Sequence, residues 1–131
     1  MADLILDTAP LIAVERGHLS MTDLADADED IAIAAVSVAE LWFGVEMAGA
    51  EDRVPRAMFV RRMVELFTVE NYDLDVARVH GRLLAETRRL GRQRGSYDLI
   101  IAATAVARDR VVVTMDKGFG ELPGVQVRLV G

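Results

Sequence analysis

Residues 96–116 read SYDLIIAATAVARDRVVVTMD. The first part, SYDLIIAATAVARD, is apolar on nearly every side, which predicts a helix buried over most of its surface. VVVT at 111–114 is short and β-branched, which predicts a buried strand. An acid stands near each end of this unit: Asp98 in the first turn of the helix and Asp116 two residues beyond the strand. In a right-handed crossover the helix runs antiparallel to the strands it connects. Its first turn then lies where the strands end, so Asp98 and Asp116 are predicted at one edge of a sheet.

Working outward, the same grammar recurs. Residues 3–6 predict a buried strand that ends on Asp7, followed by a helix with Asp7 or Thr8 as cap, Pro10 in its first turn and Gly17 as its stop. HLSMTDLADADED reads as a short helix giving way to an acidic turn, and IAIAAV at 31–36 as a second strand. SVAELWFGVEMAGAED then predicts a helix that starts near Ser37 and fades around Gly49. VPRAMFVRRMVELF carries a third helical pattern, with Met58, Val60, Met63, Val64 and Phe67 as its apolar stripe. A brief strand is expected at the start of TVENYDL. Val76, Val79, Leu83, Thr87 and Leu90 recur at threes and fours, with Leu84 widening the stripe, and GRQRG breaks that helix. VQVRLV at 125–130 predicts a last strand at a sheet edge. Strands alternating with helices predict an α/β fold, a three-layer α/β/α arrangement with a mainly parallel central sheet, in a single domain over 1–131.

Composition narrows the chemistry. The chain of 131 residues contains no cysteine, which excludes disulfides, thiol nucleophiles and cysteine-ligated zinc. No apolar run approaches the ~18 residues that a membrane helix needs. The N-terminal stretch lacks the basic region and long apolar core of a signal peptide, so a cytoplasmic location without membrane contact is expected. A net charge of −6 argues by itself against a nucleic-acid partner, but the distribution is uneven. Residues 1–52 hold one basic and twelve acidic side chains, a net charge of −11. Residues 53–131 hold fourteen basic and nine acidic ones, a net charge of +5. All but one of the fifteen basic residues are arginine, the side chain suited to bidentate phosphate contacts.

By the same connectivity, Glu40, in the first turn of the helix after IAIAAV, joins Asp7, Asp98 and Asp116 at the strand-end edge, where open α/β sheets bind ligands. Crowded carboxylates repel, by roughly 4 kcal/mol for two charges ~4 Å apart at an effective dielectric of ~20. A cluster of four must protonate, spread or hold a cation. Oxygen ligands without histidine or cysteine favour Mg²⁺ or Mn²⁺ over zinc. Each acid also has a purely local reading. Ser37 and Glu40 match a capping box; Asp98 suits a helix first turn; Asp7 suits a cap; Asp116 suits an Asx-turn. Their convergence on one edge is what favours a site.

LILDT, SVAELWFG, SYDLIIAATA and VVVTMDKGFGEL follow the order and spacing of the PIN domain, and the chain resembles the compact toxin branch of that family, the VapC-type ribonucleases. The resemblance implies a Mg²⁺- or Mn²⁺-dependent endoribonuclease, a homodimer, held inactive by a cognate antitoxin protein. It assigns the family's acidic quartet to Asp7, Glu40, Asp98 and Asp116, with Thr8 and Thr114 as supporting hydroxyls; Asp7, Asp98 and Asp116 are the expected metal ligands, direct or through water, and Glu40 is a further ligand or the group that orients the attacking water. Two departures stand out. Ala9 occupies a position that is often Ser or Asn, and Lys117 and Gly118 follow Asp116 where another acid is common.

An RNA substrate needs positive charge outside the acidic pocket. Arg78, Arg82, Arg88, Arg89, Arg92 and Arg94 crowd residues 78–94, and Arg88, Arg89, Arg92, Arg94 and Lys117 are the candidate RNA contacts. The segment 53–67, with Met58, Phe59, Met63 and Phe67, is a candidate for antitoxin or dimer contact, or ordinary core. His18 and His80 lack spaced partners and read as structural. Three rivals are considered. A phosphoacceptor domain needs an acidic pair at an early strand end, and Asp7 stands alone. A haloacid-dehalogenase-type phosphatase needs Asp-x-Asp, and Ala9 occupies the second position. A PIN-like module that binds RNA or protein without cleaving stays open.

Overall fold

The computed structural model describes residues 2–92 and 94–131. In chain order it contains β1 (Asp3–Leu6), α1 (Thr8–Glu15), α2 (Met21–Leu24), β2 (Asp30–Ala34), α3 (Ala35–Met47), α4 (Ala50–Leu66), β3 (Thr68–Glu70), α5 (Leu74–Arg89), α6 (Ser96–Ala107), β4 (Val111–Thr114) and β5 (Val127–Leu129), with a 3-10 turn at Lys117–Glu121 between the last two strands. The five strands form one sheet in the order β3-β2-β1-β4-β5, paired in parallel throughout. β5 lies at an edge, as its amphipathic sequence predicts.

Side-chain alternation divides the core between the two faces of the sheet. Ile5, Ala34 and Val112 face a cluster built from α5 and α6, with Val76, Leu83, Leu99 and Ile101 fully or nearly buried. Leu4, Leu6, Ile33 and Val113 face the opposite cluster, where Leu11, Leu41, Val45, Val60 and Met63 come from α1, α3 and α4. Strands buried on both faces read as unbroken apolar runs, which is why β1 and β4 stand out in the sequence. α6 buries Leu99 and every residue from Ile101 to Ala105, as its composition predicts. No helix among the described residues is long and apolar enough to cross a membrane.

Four sequence expectations are corrected. α3 begins at Ala35, two residues before Ser37, because Ala35 and Val36 continue the helix rather than the strand. α4 begins at Ala50 and carries Pro55 inside it, with Glu51 and Asp52 in the first turn, where the helix dipole favours acids. Its apolar stripe is also narrower than the sequence suggests: Val60 and Met63 are buried, but Met58 and Val64 are exposed. On α5, Val76, Leu83 and Thr87 are buried, whereas Leu84 and Leu90 face outward. In both stripes the helix needs only one line of apolar residues to cover its neighbour, and the flanking positions project to solvent.

Candidate active site at the carboxyl edge of the sheet

Asp7 follows β1 directly and its position is fixed by the strand. Its backbone N–H donates to the Val113 carbonyl at 2.9 Å, extending the β1–β4 ladder by one bond. Its side chain caps α1 by accepting from Thr8 N at 2.8 Å. The other oxygen accepts from Thr114 Oγ1 at 2.9 Å. Thr114, the fully buried last residue of β4, also accepts from Asp116 N at 3.0 Å. One hydroxyl thus sets the relative positions of two of the acids. Thr8 does the same for a third, donating to Glu40 Oε1 at 2.7 Å, and its oxygen lies 3.1 Å from Ser37 Oγ.

The capping box expected at Ser37 and Glu40 does not form. With α3 starting at Ala35, Ser37 lies inside the first turn and is completely buried, and Glu40 falls in the second turn. Freed from the helix terminus, Glu40 turns toward Thr8. Asp98 lies in the first turn of α6 behind Gly95, as expected. Asp116 caps the 3-10 turn by accepting from Gly118 N at 2.8 Å. The local roles anticipated for Asp7 and Asp116 therefore coexist with their place at the shared edge.

The four acids sense one another. Burial holds Asp7 above the ordinary carboxylate range, against the bonds from Thr114 and Thr8, and the charge of Asp116 adds to the rise. Burial raises Glu40 as well, opposed by the Thr8 bond and reinforced by Asp7 and Asp98. Asp98 is raised by burial and then by Asp7, with Arg94 acting the other way. Asp116 is lowered, first by the Gly118 N–H and then by Arg94.

Arg94 is the cation of this cluster. Its Nη2 donates to Asp116 Oδ2 at 2.7 Å and to Asp98 Oδ2 at 3.2 Å. Its guanidinium carbon lies 5.1 Å from the centre of the Phe119 ring, which is fully buried beneath it. Gly118 completes the cradle: a Cβ there would stand 2.0 Å from Arg94 Nη1. Phe119 and Gly118 escape sequence reasoning, because their contribution is a surface and an absence, neither of which carries charge. Arg88, Arg92 and Arg94 border one cleft of about 570 Å³ together with Leu84, Thr87 and Leu99. Arg92 leans on Glu121 at 3.5 Å and Arg82 on Glu86 at 3.8 Å. Arg89 and Lys117 are exposed. Of the segment 53–67, Met63 is core and Phe59 and Phe67 are partly buried against it, leaving Val54 and Met58 at the surface. His80 bonds the Tyr72 hydroxyl through Nδ1 at 2.9 Å, away from the acids.

The donor set fits a hard divalent cation in chemistry and charge: oxygens only, and four carboxylates against one guanidinium. Among the described residues no three acids or histidines stand close enough to share one ion, and Arg94 bridges Asp98 and Asp116.

Known proteins share this architecture and sequence. The family described as PIN domain matches residues 4–125. Ribonuclease VapC5 of Mycobacterium tuberculosis is 35% identical over 121 residues, covering 92% of this chain and 87% of that one. The tRNA(fMet)-specific endonuclease VapC of Salmonella typhimurium is 32% identical over 96 residues, covering 72% and 71%. The crystal structure of VapBC-5, a member of the VapBC family of toxin–antitoxin systems from Mycobacterium tuberculosis, superposes with a TM-score of 0.78 at 31% identity, over 99% of this chain and 98% of that one. Fold, sequence and the acids at the sheet edge agree, and the chain belongs to the PIN-domain family, among the VapC ribonucleases.

Proposed function

We propose that this chain is the toxin of a toxin–antitoxin pair, a Mg²⁺-dependent endoribonuclease, with Mn²⁺ as a working substitute, that hydrolyses RNA phosphodiester bonds at Asp7, Glu40, Asp98 and Asp116. The observation that carries this reading is the gathering of four carboxylates from the ends of β1 and β4, the second turn of α3 and the first turn of α6, with Thr8 and Thr114 tying Asp7, Glu40 and Asp116 together and Arg94 joining Asp98 to Asp116. The ribonuclease names of the relatives support RNA as the substrate class. The solved toxin–antitoxin relative supports an antitoxin partner. We extend the proposal to a homodimer.

Asp7, Asp98 and Asp116 would hold the metal, which when bound neutralises charge at the phosphoryl group and lowers the pKa of an attacking water. Glu40, whose carboxylate Thr8 fixes, would join the ligands or orient that water. Thr114 keeps Asp7 and Asp116 in register. Arg88 and Arg92 border a cleft that Arg94, the partner of Asp98 and Asp116, also lines, and would supply the positive charge that an RNA backbone requires.

The test is cleavage of a defined RNA by the wild type and by Asp98→Asn, in Mg²⁺ and in Mn²⁺. The proposal expects activity in the wild type and a loss of ~10²-fold or more in the variant, the scale for removing a group that stabilises transition-state charge. RNA binding without cleavage in any divalent metal would instead favour a PIN-like module that binds and does not cut.

A further inference from the structure

Arg94 makes an unusual ion pair. An arginine built for stability presents its fork to one carboxylate, each nitrogen to its own oxygen. Arg94 instead offers the single nitrogen Nη2 to two carboxylates, Asp116 and Asp98, at 2.7 and 3.2 Å. Its Nε is buried and finds no hydrogen-bond partner among the described residues. The site nevertheless accommodates it closely: the side chain is 17% exposed, the Phe119 ring lies below it, and the missing Cβ of Gly118 leaves it room. The guanidinium is thus well housed and poorly satisfied.

The geometry points to Arg94 as the resident cation of the Asp98–Asp116 pair, displaced from it when a divalent metal binds. This inference rests on the metal reading above and concerns what the metal must remove. A doubly charged hard ion gains more than a monocation from two carboxylate oxygens, and a guanidinium that gives up its two Nη2 bonds also frees a buried, unpartnered Nε. Once displaced, it stands at the mouth of the cleft bordered by Arg88 and Arg92, where a substrate phosphate offers it the bidentate acceptor that Asp98 and Asp116 do not. In this chain the residue after Lys117 has to be small for the exchange to exist, since any Cβ at Gly118 would collide with the housed guanidinium.

The test is Mn²⁺ affinity, measured without RNA by titration calorimetry and Mn²⁺ paramagnetic resonance on the full chain. Wild type, Arg94→Gln and Gly118→Ala are compared, the last keeping the arginine while blocking its berth. In the wild type Mn²⁺ has to displace the guanidinium from Asp98 and Asp116, and in both variants it does not, so both should bind Mn²⁺ about tenfold more tightly than the wild type. Equal affinity in all three overturns displacement and leaves the metal reading standing. Tighter binding in Arg94→Gln alone also overturns it, because the cause would then be charge at a distance rather than occupancy. No Mn²⁺ binding in any of the three removes the metal reading and this inference with it. Should Arg94→Gln fail to fold, Gly118→Ala carries the comparison, and the wild-type Arg94 Nε–H resonance must shift on adding Mg²⁺.

Discussion

Two arginine–carboxylate clusters, one just before β2 and one at the carboxyl edge of the sheet, show how the same chemistry can fasten a fold or leave it poised. At the residue before β2, Glu29 receives Arg128 in a two-pronged contact, Nη1 to Oε1 at 2.7 Å and Nη2 to Oε2 at 2.8 Å. The backbone N–H groups of Asp26 and Ala2 complete its acceptor set at 2.9 and 3.2 Å. The Glu29 side chain is 1% exposed, one charge balances one charge, and its pKa falls from 4.5 to about 2, chiefly through Arg128. At the carboxyl edge, one guanidinium serves two carboxylates while Asp7 and Glu40 stand beside them, and three of the four acids are raised by burial and by each other. The first cluster is finished. The second lacks positive charge, and a protein keeps such an arrangement where something else must bind.

The comparison can be broken by exchanging outcomes between the two clusters. The largest effect belongs to Asp98→Asn, which should reduce RNA cleavage by ~10²-fold or more without lowering the melting temperature, since it removes a carboxylate already disfavoured by burial and by Asp7. A collapse of stability in that variant would make Asp98 a structural residue like Glu29. Thr114→Val comes next: losing the hydroxyl that orients Asp7 and Asp116 should cost roughly 10–100-fold in metal affinity or turnover.

Glu29→Gln should do the reverse, lowering the melting temperature while leaving cleavage per folded molecule unchanged. Its effect should depend on pH in a defined direction. A carboxylate whose folded pKa lies near 2 and whose unfolded value lies near 4.5 stabilises fully above the higher figure. The stability gap between wild type and Glu29→Gln, measured by denaturant unfolding in EDTA, should narrow as pH falls below 4.5 and close near 2. The raised acids Asp7, Glu40 and Asp98 have the opposite sign. The folded state takes up their protons first, so their contribution to stability increases as pH falls through their raised values. The Asp98→Asn stability advantage should therefore be greatest near neutrality and fade in acid. The smallest effect is expected from Arg88→Gln and Arg92→Gln. Each should raise KM for RNA with kcat little changed and reduce the salt dependence of binding by about one ion.

The residues that could be read from the sequence are those whose chemistry conflicts with their neighbours. Asp7 and Asp116 stand out because each closes or follows an unbroken apolar strand, and Asp98 because it sits among the apolar residues of α6. Parallel pairing follows from the alternation of strands with helices, whereas the strand order β3-β2-β1-β4-β5 appears only in the structure. Glu40 lies at the carboxyl edge although the sequence leads there from an imperfect premise: Ala35 and Val36 suit strand and helix equally, so the pattern sets the helix start two residues late and suggests a Ser37–Glu40 capping box where the chain is already helical. Arg94 was visible only as one of several arginines. Its contact with Asp116 joins residues 22 apart, and the berth depends on Gly118 and Phe119, whose roles appear only once the 3-10 turn packs against Arg94. Met58, Leu84 and Leu90 show the limit of periodicity, which identifies a helix without saying how wide a stripe its neighbour covers.

The central claim is that the unfinished carboxyl edge works by holding a divalent cation. The most direct measurement is cleavage of a defined RNA by the wild-type chain, first in excess EDTA and then with Mn²⁺ restored. The account predicts no cleavage in EDTA and recovery that follows Mn²⁺ occupancy, with none in Asp98→Asn at the same Mn²⁺ concentration. Undiminished cleavage by the wild type in excess EDTA would contradict it.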